Sequence, residues 1–105
     1  MKAENDLPWT LQADAEKAKF KLSGEVDFTS STKLRATLDG FVKKSGGDVQ
    51  ADLSELEYLD SSGLAVLIEL RKKLKSRDRG LEVTSIHPNA EKVFRLTQVA
   101  QLFGL

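Results

Sequence analysis

The spacing of apolar residues switches back and forth between the strand and the helix period along this chain. That alternation limits the fold more than any other feature. In KAKFKLSG (17–24), Ala18, Phe20 and Leu22 fall on one side and Lys17, Lys19 and Lys21 on the other. This is a half-buried strand with lysine stems over its edge or outer face. WTLQA (9–13) precedes it across the acidic and small residues around Asp14, which makes a hairpin. In DFTSSTKLRATLDGFVKK (27–44), Leu34, Leu38, Phe41 and Val42 lie on one helical stripe. Thr29, Ser30 or Ser31 offers its N-cap oxygen, and Gly46 and Gly47 stop the helix. DVQADLSEL (48–56) alternates Val49, Ala51 and Leu53, a short strand. The most apolar helix runs from Ser61 to about Ser76, with Leu64, Leu67, Ile68 and Leu74 inward and Gly80 closing it. LEVTSI (81–86) is a further strand. Pro88 fits a first helical turn, and AEKVFRLTQVAQLF (90–103) forms a last helix with Val93, Phe94 and Thr97 on one side.

The order is β-β-α-β-α-β-α. Strands that alternate with helices pair in parallel through right-handed crossovers, and the first hairpin adds an antiparallel strand. The expectation is an α/β fold with a mixed sheet of about four strands. A chain of 105 residues suits one compact domain. Residues 1–8 are polar, end at Pro8 and read as a flexible arm before a domain over 9–105.

Several function classes lose support at this point. Sixteen basic residues balance sixteen acidic ones, so no net charge draws the chain toward nucleic acid or an anionic membrane. There is no cysteine, which removes disulfides and thiolate metal sites. The N-terminus lacks an apolar core of signal-peptide length, and the longest apolar run, LAVLI, is too short to span a bilayer. A soluble, cytoplasmic protein is expected. No phosphate-binding loop or dinucleotide fingerprint is present. The sole histidine, His87, precedes Pro88 and reads as a helix-entry or surface residue. Asp52 and Asp60 invite a receiver-type phosphoaspartate or metal site, but a receiver needs more βα units than this chain holds. The reading is therefore not an enzyme, with no catalytic residue, no cofactor and no metal. The basic cluster of Arg71, Lys72, Lys73, Lys75, Arg77 and Arg79 reads as a solvated helix end that offsets the helix dipole. Trp9 and Tyr58 read as core or rim packing, since no interleaved aromatics support nucleic-acid stacking.

The strand-to-helix joint at Asp60, Ser61, Ser62 and Gly63 holds the chemistry. Either serine can cap the following helix at about 1 kcal/mol, and Gly63 permits a tight turn or close approach. A helix N-terminus also tolerates an anion, so a phosphate could be added here and removed.

ELEYLDSSGLAVLIELRKKLK resembles the signature of the STAS domain, the family of sulfate transporters and anti-sigma factor antagonists. LSGEVDFTSSTKL resembles the Gly-Glu-Leu-Asp segment of that family, and IHPNAEKVFRLTQVAQLF its last strand and helix. The resemblance covers about residue 9 to the C-terminus. It implies a non-enzymatic switch protein. In the antagonist branch, a serine directly after the aspartate is phosphorylated by a partner kinase that is itself the anti-sigma factor. Here that serine is Ser61, with Asp27 as the family's nearby acid. The implied partner-binding face is Asp27, Thr29, Ser30, Asp60, Ser61, Ser62 and Gly63, with no nucleic acid and no direct membrane insertion. Two features depart from the common antagonist. The chain stops at Leu105, soon after the Leu-Phe motif, and Leu64-Ala65 stands where Leu-Gly is usual. Both resemble the small STAS subunits of Mla-type lipid-transport ABC systems, in which the domain sits on the ATPase. That branch often carries threonine in the loop, so Ser61 leans toward the antagonists.

Overall fold

The computed structural model describes residues 7–105. Its elements are β1 (Trp9–Asp14), β2 (Lys19–Val26), α1 (Ser31–Lys44), β3 (Val49–Leu59), α2 (Ser61–Lys75), β4 (Leu81–Ile86) and α3 (Pro88–Leu96), followed by a 3-10 turn at Ala100–Phe103. The strands form one sheet in the order β1-β2-β3-β4. β1 pairs antiparallel with β2, and the other pairs are parallel. Both crossovers step the same way across the sheet, so their right-handedness puts α1 and α2 on one face. Phe20, Leu22, Val26, Val49, Leu53 and Leu56 meet the helices there, each almost fully buried. The other face is polar: Lys19, Glu25, Gln50, Glu55 and Glu82 are exposed on it. The expected fold class and element order are those observed.

Most of the expected arm lies outside the described residues. Leu7 packs against the core, and the Pro8 carbonyl accepts a hydrogen bond from the Glu25 amide at 2.9 Å. A Cβ on Gly24 would stand 2.3 Å from that carbonyl oxygen, and its φ is +97°. Only glycine fits there, which explains the first residue of the Gly-Glu-Val-Asp segment.

Three expectations require correction. β3 is eleven residues long rather than short. Inward residues run Val49, Ala51, Leu53 and then Leu56 and Leu59, so the alternation slips twice. The register against β2 shifts at both places, as bulges on β3 would require. Each slip returns a leucine to the core and hides the strand from a period-two reading.

The last helix does not run unbroken to Phe103. α3 ends at Leu96, and Gln98 takes the left-handed conformation, φ 62°. The Val99 amide donates to the Phe94 carbonyl and the Gln98 amide to the Arg95 carbonyl, both at 3.1 Å, a Schellman close. Thr97 is exposed and donates its hydroxyl to the Val93 carbonyl at 2.7 Å, rather than joining the inward side. A continuous helix would put Phe103 about 180° around from Phe94. The break folds it back, so the two rings meet edge to face at 5.0 Å.

In α2, Leu64, Val66, Leu67, Leu70 and Leu74 are buried, while Ile68 is only partly so. The inward face is centred on Leu67 and Leu70, one position away from the Ile68 side.

Candidate functional site

Val26 and Leu59 are register partners at the carboxyl ends of β2 and β3. The chain therefore leaves the sheet at two neighbouring points, through residues 27–30 into α1 and through Asp60 into α2. In open parallel sheets this is the end where ligands and partners meet the fold. The Asp60 amide donates to the Val26 carbonyl at 3.2 Å, which joins the two exits.

Asp60 holds this corner together. Its backbone is extended, as an N-cap requires. One carboxylate oxygen accepts from the Gly63 amide at 3.0 Å, and the other accepts from the Phe28 amide at 3.1 Å. One side chain thus caps α2 and ties down the β2–α1 loop. The cap belongs to Asp60, not to Ser61 or Ser62. Ser61 is the first helical residue and exposed, and Ser62 is partly buried beside it. Among the described residues, neither serine hydroxyl makes a hydrogen bond.

Asp27 organises the other loop. Its carboxylate accepts from the Thr29 amide at 2.9 Å and from the Thr29 hydroxyl at 2.5 Å. Its carbonyl accepts from the Ser30 and Ser31 amides at 3.2 and 3.0 Å. The Thr29 hydroxyl, opposed by desolvation and helped by backbone amides, holds the Asp27 carboxyl below its ordinary range. α1 has no side-chain N-cap bond, contrary to the expected role of Thr29, Ser30 or Ser31. Thr29 is engaged with Asp27, and Ser30 is turned inward, 4% exposed, its hydroxyl without a partner among the described residues. The Ser30 carbonyl accepts from the indole N–H of buried Trp9 at 3.3 Å, which anchors the loop from below.

Gly63 is buried. A Cβ there would lie 2.5 Å from Leu59 Cδ1 and 2.9 Å from Val26 Cγ1. It lets the first turn of α2 settle onto the strand ends. Of the seven residues named from sequence, Asp27, Thr29, Asp60, Ser61 and Ser62 crowd the outer rim of this corner, and Ser30 and Gly63 lie beneath it.

Phe28 was not singled out by sequence reasoning. It is 74% exposed at the loop tip, between Asp27 and Thr29. A phenylalanine beside an acid in an irregular stretch gives no periodic sign of which way it faces.

Residues 22–32 and 53–63 contain Glu25, Asp27, Glu55, Glu57 and Asp60 but no lysine or arginine. The basic cluster belongs to the end of α2 and is partly structural. Lys73 pairs with Asp39 on α1, and Arg71 donates to the Leu102 carbonyl at 2.8 Å. Arg79 donates to the carbonyls of Val42 and Gly47 and to the Ser45 hydroxyl, satisfying acceptors at the end of α1. His87 caps α3, its Nδ1 accepting from the Asn89 amide at 3.0 Å. Among the described residues, no group of three or more His, Asp or Glu is placed to hold a metal, and no helix is long and apolar enough to cross a membrane.

One four-stranded mixed sheet with helices packed on one face thus carries paired loops at its strand ends, an aspartate-capped helix and an exposed serine, the architecture of a STAS-type domain. The family model described as "Mlab, STAS domain" matches residues 9–104, and the chain belongs to that family. It is 28% identical over 94 residues to an anti-sigma-B factor antagonist of Listeria monocytogenes, covering 90% of this chain and 82% of that one. The crystal structure of an anti-sigma factor antagonist from Mycobacterium paratuberculosis aligns with TM-score 0.79 at 26% identity, over 90% of this chain and 82% of that one. The anti-sigma factor antagonist SpoIIAA in its unphosphorylated form shares the fold, with TM-score 0.71 at 17% identity, over 90% and 84%.

Proposed function

We propose that this chain is a non-enzymatic cytoplasmic switch, an anti-sigma factor antagonist that binds an anti-sigma serine kinase and is released when Ser61 is phosphorylated. The observation that carries the reading is Asp60. Because Asp60 caps α2, the exposed Ser61 hydroxyl has no structural duty and is open to modification. The names of the relatives support the same reading.

The transfer is simple to balance. The Ser61 oxygen forms a bond to the γ-phosphorus of ATP, the bond to the ADP oxygen breaks, and the hydroxyl proton passes to a base on the kinase. The product adds roughly two negative charges at a helix N-terminus, where orphan N–H groups favour an anion. The domain therefore stays folded. The bulk and bound water of the phosphate, beside Asp27 and Asp60, exclude a partner docked over these loops. The partner face is Asp27, Thr29, Asp60, Ser61 and Ser62, with Ser30 and Gly63 supporting it from below.

A second reading is an accessory subunit of an Mla-type ABC transporter that binds its ATPase through the same corner. The description of the matching family favours it, as does Leu64-Ala65. The deciding experiment recovers partners from native lysate, identifies them by mass spectrometry, adds ATP and maps phosphate on the wild type, Ser61→Ala and Ser62→Ala. A serine kinase that modifies Ser61 and then dissociates is the expected result. Phosphate on Ser62 would show that the wrong hydroxyl was chosen. An ABC ATPase partner with no phosphate on either serine would establish the second reading.

A further inference from the structure

We infer that Phe28 is the apolar anchor of the partner interface, fixed in place by Asp60, and that its occupant is a socket in the anti-sigma kinase ringed by lysine or arginine. The inference rests on the function proposed above.

A lone exposed hydrophobic side chain needs no explanation on a protein surface. Phe28 differs in three respects. Its backbone is held rather than free. The Phe28 amide donates to the Asp60 carboxylate, while Asp27 and Thr29 on either side close an acid-anchored turn. A ring carried on a pre-set backbone loses little freedom on binding. Its position is also tied to the modifiable serine, because Asp60 bonds Phe28 with one oxygen and caps the helix that starts at Ser61 with the other. The two loops, finally, are acidic. Asp27 and Asp60 flank Phe28, and neither is in an ion pair among the described residues, whereas Glu55 is paired with Lys21 further along the strands. Asp27 is held in its charged form by Thr29. An aromatic centre within an acidic rim fits an apolar socket with a cationic rim. A phosphate on Ser61 stands beside the anchor, so its bulk and bound water keep the socket from closing over Phe28.

The test measures affinity of the purified anti-sigma kinase for wild-type protein, Phe28→Ala, Phe28→Leu and Leu96→Ala. Leu96 is the control, 82% exposed at the C-terminal end of α3. Loss of a central aromatic anchor weakens binding by about 30-fold or more. Phe28→Ala should show that loss at unchanged melting temperature, Phe28→Leu should regain much of it, and Leu96→Ala should bind as wild type does. If Phe28→Ala binds within about threefold of wild type, far below an anchor's share, the inference fails and the proposed function stands. If wild-type protein does not bind the kinase, the proposed function fails and takes this occupant with it. Equal loss in Phe28→Ala and Leu96→Ala would show general surface stickiness and overturn the anchor.

Discussion

Replacing Asp60 with alanine removes two backbone partners with one side chain, and the cost can be built from the geometry. The bond to the Gly63 amide is an N-cap, worth about 1 kcal/mol. The bond to the Phe28 amide is charge-assisted, worth about 1.5–3 kcal/mol when well shielded. Asp60 is only partly buried, so the lower part of that range applies. The expected loss is about 2–3 kcal/mol in all. For a domain of this size that lowers the melting temperature by roughly 8–24 °C. Ser61→Ala removes a hydroxyl that makes no hydrogen bond among the described residues, and it should stay within about 0.5 kcal/mol of wild type. In Ser61→Asp, attraction to the helix N-terminus, about 0.3–1 kcal/mol, is offset by repulsion from Asp60, so stability should barely change. Urea melts followed by far-UV circular dichroism, compared at constant m, measure all three. A Ser61→Ala loss near 1 kcal/mol with an Asp60→Ala loss below about 0.5 kcal/mol would reverse the assignment. Ser61 would then be the cap, and its availability for modification would lose its basis.

Leu67→Ala should cost about 2–5 kcal/mol in the same melts, because Leu67 is 1% exposed. Ile68→Ala should cost at most about 2 kcal/mol, since part of that side chain already meets water; equal losses would mean that α2 sits rotated from the face described. Thr29→Val should raise the Asp27 titration midpoint toward its ordinary value, because the Thr29 hydroxyl is the main cause of its depression. A folded pKa below the unfolded one stabilises the fold above about pH 4, and that contribution is lost as pH falls through the depressed value. Carbon-detected NMR titration measures the midpoint, and an unmoved midpoint in Thr29→Val would remove the hydroxyl from the account.

Element order was legible because each element buries one face, and burial writes its period into the sequence. Leu34, Leu38, Phe41 and Val42 are all buried on α1, and Phe20 and Leu22 on β2, where the period placed them. The reading failed where the backbone changes phase. Leu53, Leu56 and Leu59 are spaced by three, which suits neither a flat strand nor, over so short a run, a helix. Only a bulged partner register resolves it. The turn at Gln98 was harder still. The left-handed position at a helix end is usually glycine, and here glutamine fills it. No local residue type announces the break, and its reason is the distant meeting of Phe94 with Phe103.

The site was legible as a place but not as a division of labour. Asp60, Ser61 and Ser62 offer three side-chain oxygens within three positions, and each residue type can cap a helix. Sequence alone cannot say which of them does so. Pairing Val26 with Leu59 brings the Phe28 amide up to Asp60. An aspartate has two oxygens and can accept from Phe28 and Gly63 together, whereas a serine at that point could serve only one of them well. The tertiary pairing therefore selects the aspartate as cap and leaves the neighbouring serine without that duty. Under the proposed function, a serine freed in this way gains and loses a phosphate without altering the helix that it opens, which is the property a reversible switch requires.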